Sequence, residues 1–175
     1  MRMFSRRNAA ALVLSGLTIT IAGCAALPSF TPDERWADFK SWTKLTEGKV
    51  GTGDPTGFIG NVHKGPEGYR DVYVNDIGAA MLAGEGPYNF PEGTIIVKEQ
   101  FDNKAAWESG NRGAVTVSLK ATAGDAPAKE DWIWADSYTS RAGESAFCSG
   151  CHSIAAKDDF AFTNGAFLAT YETPE

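Results

Sequence analysis

The sequence predicts an α+β fold, an antiparallel β-sheet with flanking helices and a further helix near the C-terminus. Helical signals lie at both ends of the chain, and strand-like runs of β-branched and aromatic residues lie between them. Short loops join these runs, so the strands cannot be parallel, because a parallel pair needs a long crossover connection. The strand-like runs are residues 69–74, 93–101, 114–119 and 132–134.

The first structured element of the mature chain is predicted to be a helix. The run Thr31-Pro32-Asp33-Glu34 combines an N-cap residue, a proline at the first helical position and a glutamate three residues after the cap. The helix is expected to extend to about Leu45. Trp36, Phe39 and Trp42 then share one face, which favours packing against the sheet.

The middle of the chain alternates loops with short elements. Residues 48–68 are rich in Gly, Pro and Thr and predict loops around one or two short strands. Asn75 and Asp76 follow a strand and are expected to cap a short helix that ends near Gly84. A last helix is expected from about Glu144 to Ala156.

Residues 1–23 resemble the signal peptide of a bacterial lipoprotein. Three arginines precede an apolar stretch, Ala9 to Ile21, which is too short to span a bilayer comfortably. Small residues then precede Cys24, the expected site of cleavage and acylation, and residues 24–31 form a tether. The alternative is an ordinary signal peptide cleaved after Ala25 or Ala26. Either leader predicts export, and the lipoprotein leader predicts a periplasmic protein anchored by its lipid, with the outer membrane favoured.

The charge of the chain argues against nucleic-acid binding. The full sequence has 16 basic and 22 acidic residues and a net charge of −6. Removal of residues 1–23 takes away three arginines and no acidic residue, which leaves 13 basic residues and a net charge of −9. A protein of this sign is repelled by nucleic acid and by anionic lipid, so membrane attachment is expected through acyl chains alone.

The run Cys148-Ser149-Gly150-Cys151-His152 is the C-x-x-C-H signature of covalent haem attachment. Two thiols at this spacing can bond the two vinyl groups on one porphyrin edge, and His152 can then bind the iron. A thioredoxin-like redox pair, a zinc site and a structural disulfide remain alternatives, but the chain lacks the β-α-β context and the further ligands that the first two need. The sequence therefore predicts one covalent haem c.

The ligand opposite His152 decides what such a haem does. No methionine follows His152, and the mature chain contains only Met81, which is expected in the core. The other histidine, His63, lies beside Lys64 in a turn-like run and is expected to be solvated. An open coordination position is therefore favoured, and such a haem binds small ligands or acts on them.

These features together resemble the cytochrome P460 family, which includes the β-sheet cytochromes c′. The resemblance spans residues 58–163 and implies a small antiparallel-sheet fold, a homodimer and a five-coordinate haem. It also implies hydroxylamine oxidation, with the strand lysine bonded to a porphyrin carbon and a distal carboxylate in proton transfer. The runs that carry the resemblance are Val72 to Asp76, Phe90 to Glu99, Asp131 to Trp134 and Cys148 to His152.

The lysine that the resemblance indicates is Lys98. Strand alternation places Lys98 on one face with Thr94, Ile96 and Gln100, so the side chain reaches the haem if that face does. Burial would then lower the pKa of the amine. The alternative is that Lys98 points to solvent as an edge-strand charge. Glu144 is the candidate for the carboxylate, or it simply favours the start of the last helix.

The sequence is compatible with three functions. The first is hydroxylamine oxidation at a haem linked to Lys98, which needs a redox partner protein. The second is binding of nitric oxide or another small ligand without turnover. The third and least favoured is an electron shuttle with His63 or Met81 as sixth ligand. Phe160 and Phe162 are available to close the haem pocket. In a binding protein, Phe90, Phe101 and Phe160 are candidates for an aromatic wall on the distal side, although phenylalanines of this kind are more often core residues.

Overall fold

A computed structural model describes residues 31–51, 67–84 and 87–162. Five antiparallel strands form one sheet in the order β1-β2-β3-β4-β5, so each strand pairs with its neighbours in sequence and β3 is central. This confirms the α+β prediction. The elements are β1 Thr43–Val50, β2 Tyr69–Val74, α1 Asp76–Leu82, β3 Ile95–Phe101, α2 Lys104–Glu108, β4 Ala114–Lys120, β5 Trp132–Ala135 and α3 Ala146–His152.

Several predicted features lie outside the described residues. They are the signal peptide at 1–23, Cys24 with most of its tether, His63, and residues 163–175 at the C-terminal end of the haem domain that the sequence predicts over residues 32–175. In the part of the chain that the structure describes, no helix has the length and apolar character to cross a membrane.

The predicted helix from Thr31 to Leu45 is wrong. Two single 3₁₀ turns, Glu34–Trp36 and Phe39–Ser41, occupy its first part, and β1 begins at Thr43. The N-cap is Asp33, whose side chain accepts a hydrogen bond from the Arg35 amide, rather than Thr31. The chain turns into the sheet because β2 offers β1 a full antiparallel partner, and that pairing outweighs a local helical preference.

Strand β1 pairs irregularly with β2. The register shifts twice, and Gly48, with φ of +58°, lies at the second break. Its amide donates to Asp71 Oδ1 at 2.7 Å, and a Cβ at this position would lie 2.7 Å from the Trp107 ring. Glycine adopts this backbone conformation readily and leaves room for the Trp107 ring, whereas any other residue would be strained and would clash with the ring. The glycine at position 48 therefore favours the bulge in β1.

The predicted helix after β2 is confirmed as α1. Asn75 is its N-cap, and the side-chain oxygen accepts from the amides of Gly78 at 3.2 Å and Ile95 at 3.1 Å. The Asn75 amide nitrogen donates to the Gly93 carbonyl at 2.8 Å. One side chain therefore caps α1 and joins it to the start of β3.

The two faces of the sheet bury different residues. We call the side that contacts Cys148 the cysteine face and the other side the opposite face. The opposite face packs against the two 3₁₀ turns through Trp36 and Phe39, with Tyr73, Ile95, Val97, Val115, Val117 and Leu119. The cysteine face carries Val72, Val74, Ile96, Trp132 and Trp134, with Tyr88, Phe90 and Ala161 packed on it.

The last helix is shorter than predicted. It begins at Ala146, after an N-cap at Ser145, and ends at His152, from where a 3₁₀ segment runs through Ser153–Asp158. The sequence pattern also missed α2, a five-residue helix capped by Asn103. Helices α2 and α3 are only five and seven residues long, so their caps determine where they begin and end more than the spacing of their apolar residues does.

Candidate haem site

Helix α3 presents the two haem-motif cysteines together. Ser145 caps it, and its hydroxyl accepts from the Cys148 amide at 3.1 Å. Cys148 and Cys151 lie three residues apart and therefore near each other on the helix surface. Both are thiols rather than a disulfide; Cys148 packs against the cysteine face, and Cys151 is buried.

The His152 imidazole is held in one orientation. Its Nδ1 lies 2.6 Å from the carbonyl oxygen of Phe160. Since a carbonyl can only accept, Nδ1 carries the proton, and Nε2 keeps the lone pair that a metal requires. The pKa of His152 is lowered to about 4, chiefly by burial; the hydrogen bond to Phe160 opposes this shift, and the charge of Lys98 adds to it. The ring is neutral at pH 7.

Two aromatic rings flank the imidazole. The Trp134 ring centroid lies 5.6 Å and the Phe162 centroid 5.1 Å from that of His152, both tilted. Phe160 packs against the cysteine face. The prediction that Phe160 and Phe162 lie around the site agrees with these positions, whereas Trp134 was not recognised from the sequence, since a tryptophan in a strand usually indicates only core packing.

Trp134 also leaves a polar atom to be satisfied. Its indole Nε1 is buried and has no hydrogen-bond partner among the described residues. A buried donor of this kind costs roughly 1–3 kcal/mol if nothing accepts its proton. The propionate groups of a haem are carboxylates, and a carboxylate would satisfy it.

Lys98 lies on the cysteine face, as strand alternation predicts. It pairs with Val72 of β2 and Thr116 of β4 in the register of the central strand, so it is not an edge-strand residue. Its side chain is half-buried. The pKa of Lys98 is lowered to about 8, mainly because burial disfavours the charged amine and also because Arg70 brings a second cation near it.

The two cysteines act on Lys98 in the opposite direction. The electrostatic influence of Cys151 and Cys148 raises the pKa of Lys98, so the amine lies within electrostatic reach of both sulfurs. A thioether sulfur cannot ionise, so attachment of a porphyrin would remove this influence on the amine. The structure thus brings Lys98, Cys148, Cys151 and His152 to one side of the sheet.

The donor set at this site fits a haem c. Two thiols on one helix suit thioether bonds, and a neutral imidazole with a fixed tautomer suits an axial bond to iron. The free indole N–H of Trp134 suits a propionate. In the described ranges, no group of three or more His, Cys, Asp or Glu side chains is placed to hold a metal ion.

The remaining candidates differ in position. Glu144 is 60% exposed and its carboxylate lies 3.6 Å from Lys129 Nζ, in a surface ion pair. Met81 is partly buried against the cysteine face, as is typical of a core residue. Phe90 is buried on that face. The prediction that Phe101 lines the pocket is wrong. Phe101 is an even number of residues from Ile95 and Val97 in the same strand, so it shares their side of the sheet, the opposite face.

Comparison with known families agrees with this geometry. No match was found among the curated proteins. The family model described as cytochrome P460 matches residues 36–163, which extends the predicted resemblance back to the first 3₁₀ turn and covers β1. The matched range includes every strand of the sheet, Lys98, both cysteines of α3 and His152. The chain therefore belongs to the cytochrome P460 family, a family of c-type haem proteins.

Proposed function

We propose that this protein is an exported cytochrome with one haem, joined through thioethers to Cys148 and Cys151 and bound at iron by His152 Nε2. The observation that carries the proposal is the hydrogen bond from His152 Nδ1 to the Phe160 carbonyl. It fixes the tautomer that iron binding needs, directly beside two thiols on one helix. When bound, the haem supplies an iron position at which small molecules bind and through which electrons pass.

The proposed activity is oxidation of a small nitrogen compound, with hydroxylamine as the favoured substrate. The electrons removed from the substrate would pass to a redox partner protein. Lys98 is the residue that distinguishes this activity, because its amine lies on the cysteine face and within electrostatic reach of both haem cysteines. A pKa near 8 leaves part of this amine unprotonated at neutral pH, as a nucleophilic nitrogen must be.

A tryptic digest tests the lysine bond directly. Trypsin cleaves after Lys98 only if the amine is unmodified, so residues 71–98 and 99–104 are released separately from a chain without the bond. With the bond, residues 71–104 remain one peptide, joined through the haem to the peptide of residues 142–157. Mass spectrometry separates these cases. The Lys98→Arg variant is the control, because it keeps the charge and both thioethers but cannot form the third attachment.

Two outcomes count against the proposal at different levels. A haem on residues 142–157 alone, with Lys98 cleaved normally, removes the main reason for hydroxylamine oxidation. A colourless mature protein with Cys148 joined to Cys151 contradicts haem attachment itself.

A second function, binding of nitric oxide without turnover, is favoured by the apolar character of the cysteine face. Val72, Val74, Ile96 and Phe90 are all buried there, and an apolar wall favours a small neutral ligand. Titration of the ferrous protein with nitric oxide and carbon monoxide tests it, and failure to bind either gas contradicts it. Hydroxylamine-dependent reduction of an added electron acceptor then separates an enzyme from a binding protein.

The location and assembly proposed here follow from the sequence. The leader at residues 1–23 and Cys24 support a periplasmic protein attached by lipid, with the outer membrane favoured. The family resemblance supports a homodimer. Sedimentation of the detergent-solubilised holoprotein measures the assembly, and a monomer at micromolar concentration would contradict it.

A further inference from the structure

A buried ion pair lies under the segment that follows the haem helix. Lys120 Nζ, at the end of β4, lies 2.6 Å from Asp159 Oδ1, and the two side chains are 10% and 5% exposed. The same carboxylate accepts from Trp132 Nε1 at 3.1 Å and from the Phe90 amide at 2.6 Å. Three donors from three parts of the chain therefore converge on one aspartate.

The backbone at Asp159 is in an unfavourable conformation. Asp159 and Phe160 have φ of +55° and +57°, two successive residues in the left-handed region without a glycine. Each costs roughly 1–2 kcal/mol relative to ordinary backbone. The turn closes with hydrogen bonds from the Phe160 amide to Ala155 at 2.9 Å and from the Asp159 amide to Ala156 at 3.2 Å. Such a turn persists when the surrounding contacts determine it.

This turn supplies the hydrogen bond that orients His152. The Phe160 carbonyl follows directly on the left-handed pair and lies 2.6 Å from His152 Nδ1. The side chain of Asp159 fixes the turn to β4, to β5 and to the chain at Phe90. The position of the carbonyl relative to the imidazole is therefore determined by the sheet and not by α3 alone.

We propose that Asp159 and Lys120 are positioning residues for the axial histidine. They hold the Phe160 carbonyl against His152 Nδ1 and so set the strength of that hydrogen bond. The inference rests on the proposed binding of iron by His152. A stronger acceptor at Nδ1 makes the imidazole a more basic ligand, which strengthens the iron–nitrogen bond and favours the ferric state.

Three substitutions test this in the haem-loaded full-length protein. Asp159→Asn keeps the shape but removes the charge, and Lys120→Met removes the cation but keeps the chain length. Lys40→Met is the matched control, since it breaks a lysine–carboxylate pair with the buried Glu99 on the opposite face. The readouts are the iron–histidine stretching band of the ferrous protein by resonance Raman and the midpoint potential.

Asp159→Asn and Lys120→Met are expected to move the iron–histidine band to lower frequency and to raise the midpoint potential. Lys40→Met should leave both at their wild-type values, even if it lowers stability. A loss of stability alone would move neither readout while the haem remains bound. Wild-type band positions and potentials in both folded single variants would overturn the proposal.

A double variant covers the case in which a single substitution prevents folding. Asp159→Asn combined with Lys120→Met leaves no unpaired buried charge, which is the main cost of breaking such a pair on one side. The same downward shift of the band is expected, and an unchanged band overturns the proposal. Absence of haem from the wild-type protein would instead contradict the proposed function, so the two failures are distinguishable.

Discussion

At the scale of single residues, Asn75 is expected to contribute more than an ordinary helix cap. It makes two hydrogen bonds as acceptor and one as donor, and these join α1 to β3. Asn75→Ala should lower the free energy of unfolding by about 2–4 kcal/mol, since a cap alone is worth about 1 kcal/mol and each of the two further, partly buried bonds about 1 kcal/mol.

Asn103 provides the matched comparison for Asn75. It caps α2 through one exposed bond to the Ala106 amide at 2.9 Å, so Asn103→Ala should cost only about 1 kcal/mol. Urea denaturation followed by circular dichroism measures both variants. If both variants lose the same free energy of unfolding, the hydrogen bonds from Asn75 to β3 do not contribute to stability.

Gly78 lies where a methyl group does not fit. A Cβ there would be 2.5 Å from Val74 Cγ2 and 2.7 Å from Thr94 Cγ2, both buried. Gly78→Ala should therefore destabilise the protein by about 1–3 kcal/mol, although alanine is the better helix former. At Gly143 a Cβ has no heavy atom within 4 Å, so Gly143→Ala should be close to neutral. Thermal unfolding of the two variants checks this, and a stabilised Gly78→Ala would contradict it.

Individual site residues differ in how far the sequence reveals them. The face of Lys98 follows from alternation in one strand, and the haem cysteines follow from their spacing, because both are local properties. Asp159 could not be recognised, since an aspartate beside Asp158 has the pattern of a solvated surface. Its role depends on Lys120, Trp132 and Phe90, which approach it only in the folded chain.

At the scale of elements, the strands were more predictable than the helices. Tyr69–Val74 and Ala114–Lys120 match their predicted segments. Ala114–Lys120 buries nearly alternate side chains, which is what the period of two records, whereas the last four residues of Tyr69–Val74 are all buried because both faces of the sheet are covered there. The helix expected through Phe39 and Trp42 does not form. Aromatic residues three and four positions apart suit an α-helix, but they equally suit two 3₁₀ turns packed against a sheet. The pairing of β1 with β2 decides between these two structures.

Those 3₁₀ turns depend on tertiary packing, which makes Trp36 a critical residue. Its side chain is fully buried on the opposite face, and its indole donates to the Tyr138 carbonyl at 3.0 Å. Trp36→Ala should lower the free energy of unfolding by about 3–5 kcal/mol, because the buried ring is lost and a cavity is left behind. Trp36→Phe keeps most of the burial, loses the hydrogen bond and should cost less than half as much.

The opposite face is separated from the haem site by the sheet, which gives the Trp36 experiment a second readout. Denaturation gives the stability, and the pyridine haemochrome spectrum gives the haem content. Folded Trp36→Phe protein should keep one haem per chain. Loss of haem from folded protein would show that the two faces are coupled more closely than the sheet between them suggests.

At the scale of the whole molecule, the sheet divides the chain by chemistry. Glu99 is buried on the opposite face, where its carboxylate contacts Lys40, Arg112 and Tyr73. Lys98, which directly precedes Glu99 in β3, lies on the cysteine face. The central strand therefore keeps the Glu99 carboxylate and its ion pairs on the side of the sheet away from the site.

The proposed lipid anchor makes a prediction that is independent of the haem. Cys24 precedes the folded domain and is not part of the C-x-x-C-H motif, so Cys24→Ser should remove acylation and leave haem attachment intact. Burial of an acyl chain is worth about 0.8 kcal/mol per methylene, and several chains make attachment stable. In Triton X-114 partitioning, wild-type protein should enter the detergent phase and Cys24→Ser the aqueous phase, with identical haem spectra. Ser29→Ala, a change within the tether, should partition like the wild type; wild-type protein in the aqueous phase would indicate an ordinary cleaved signal peptide instead.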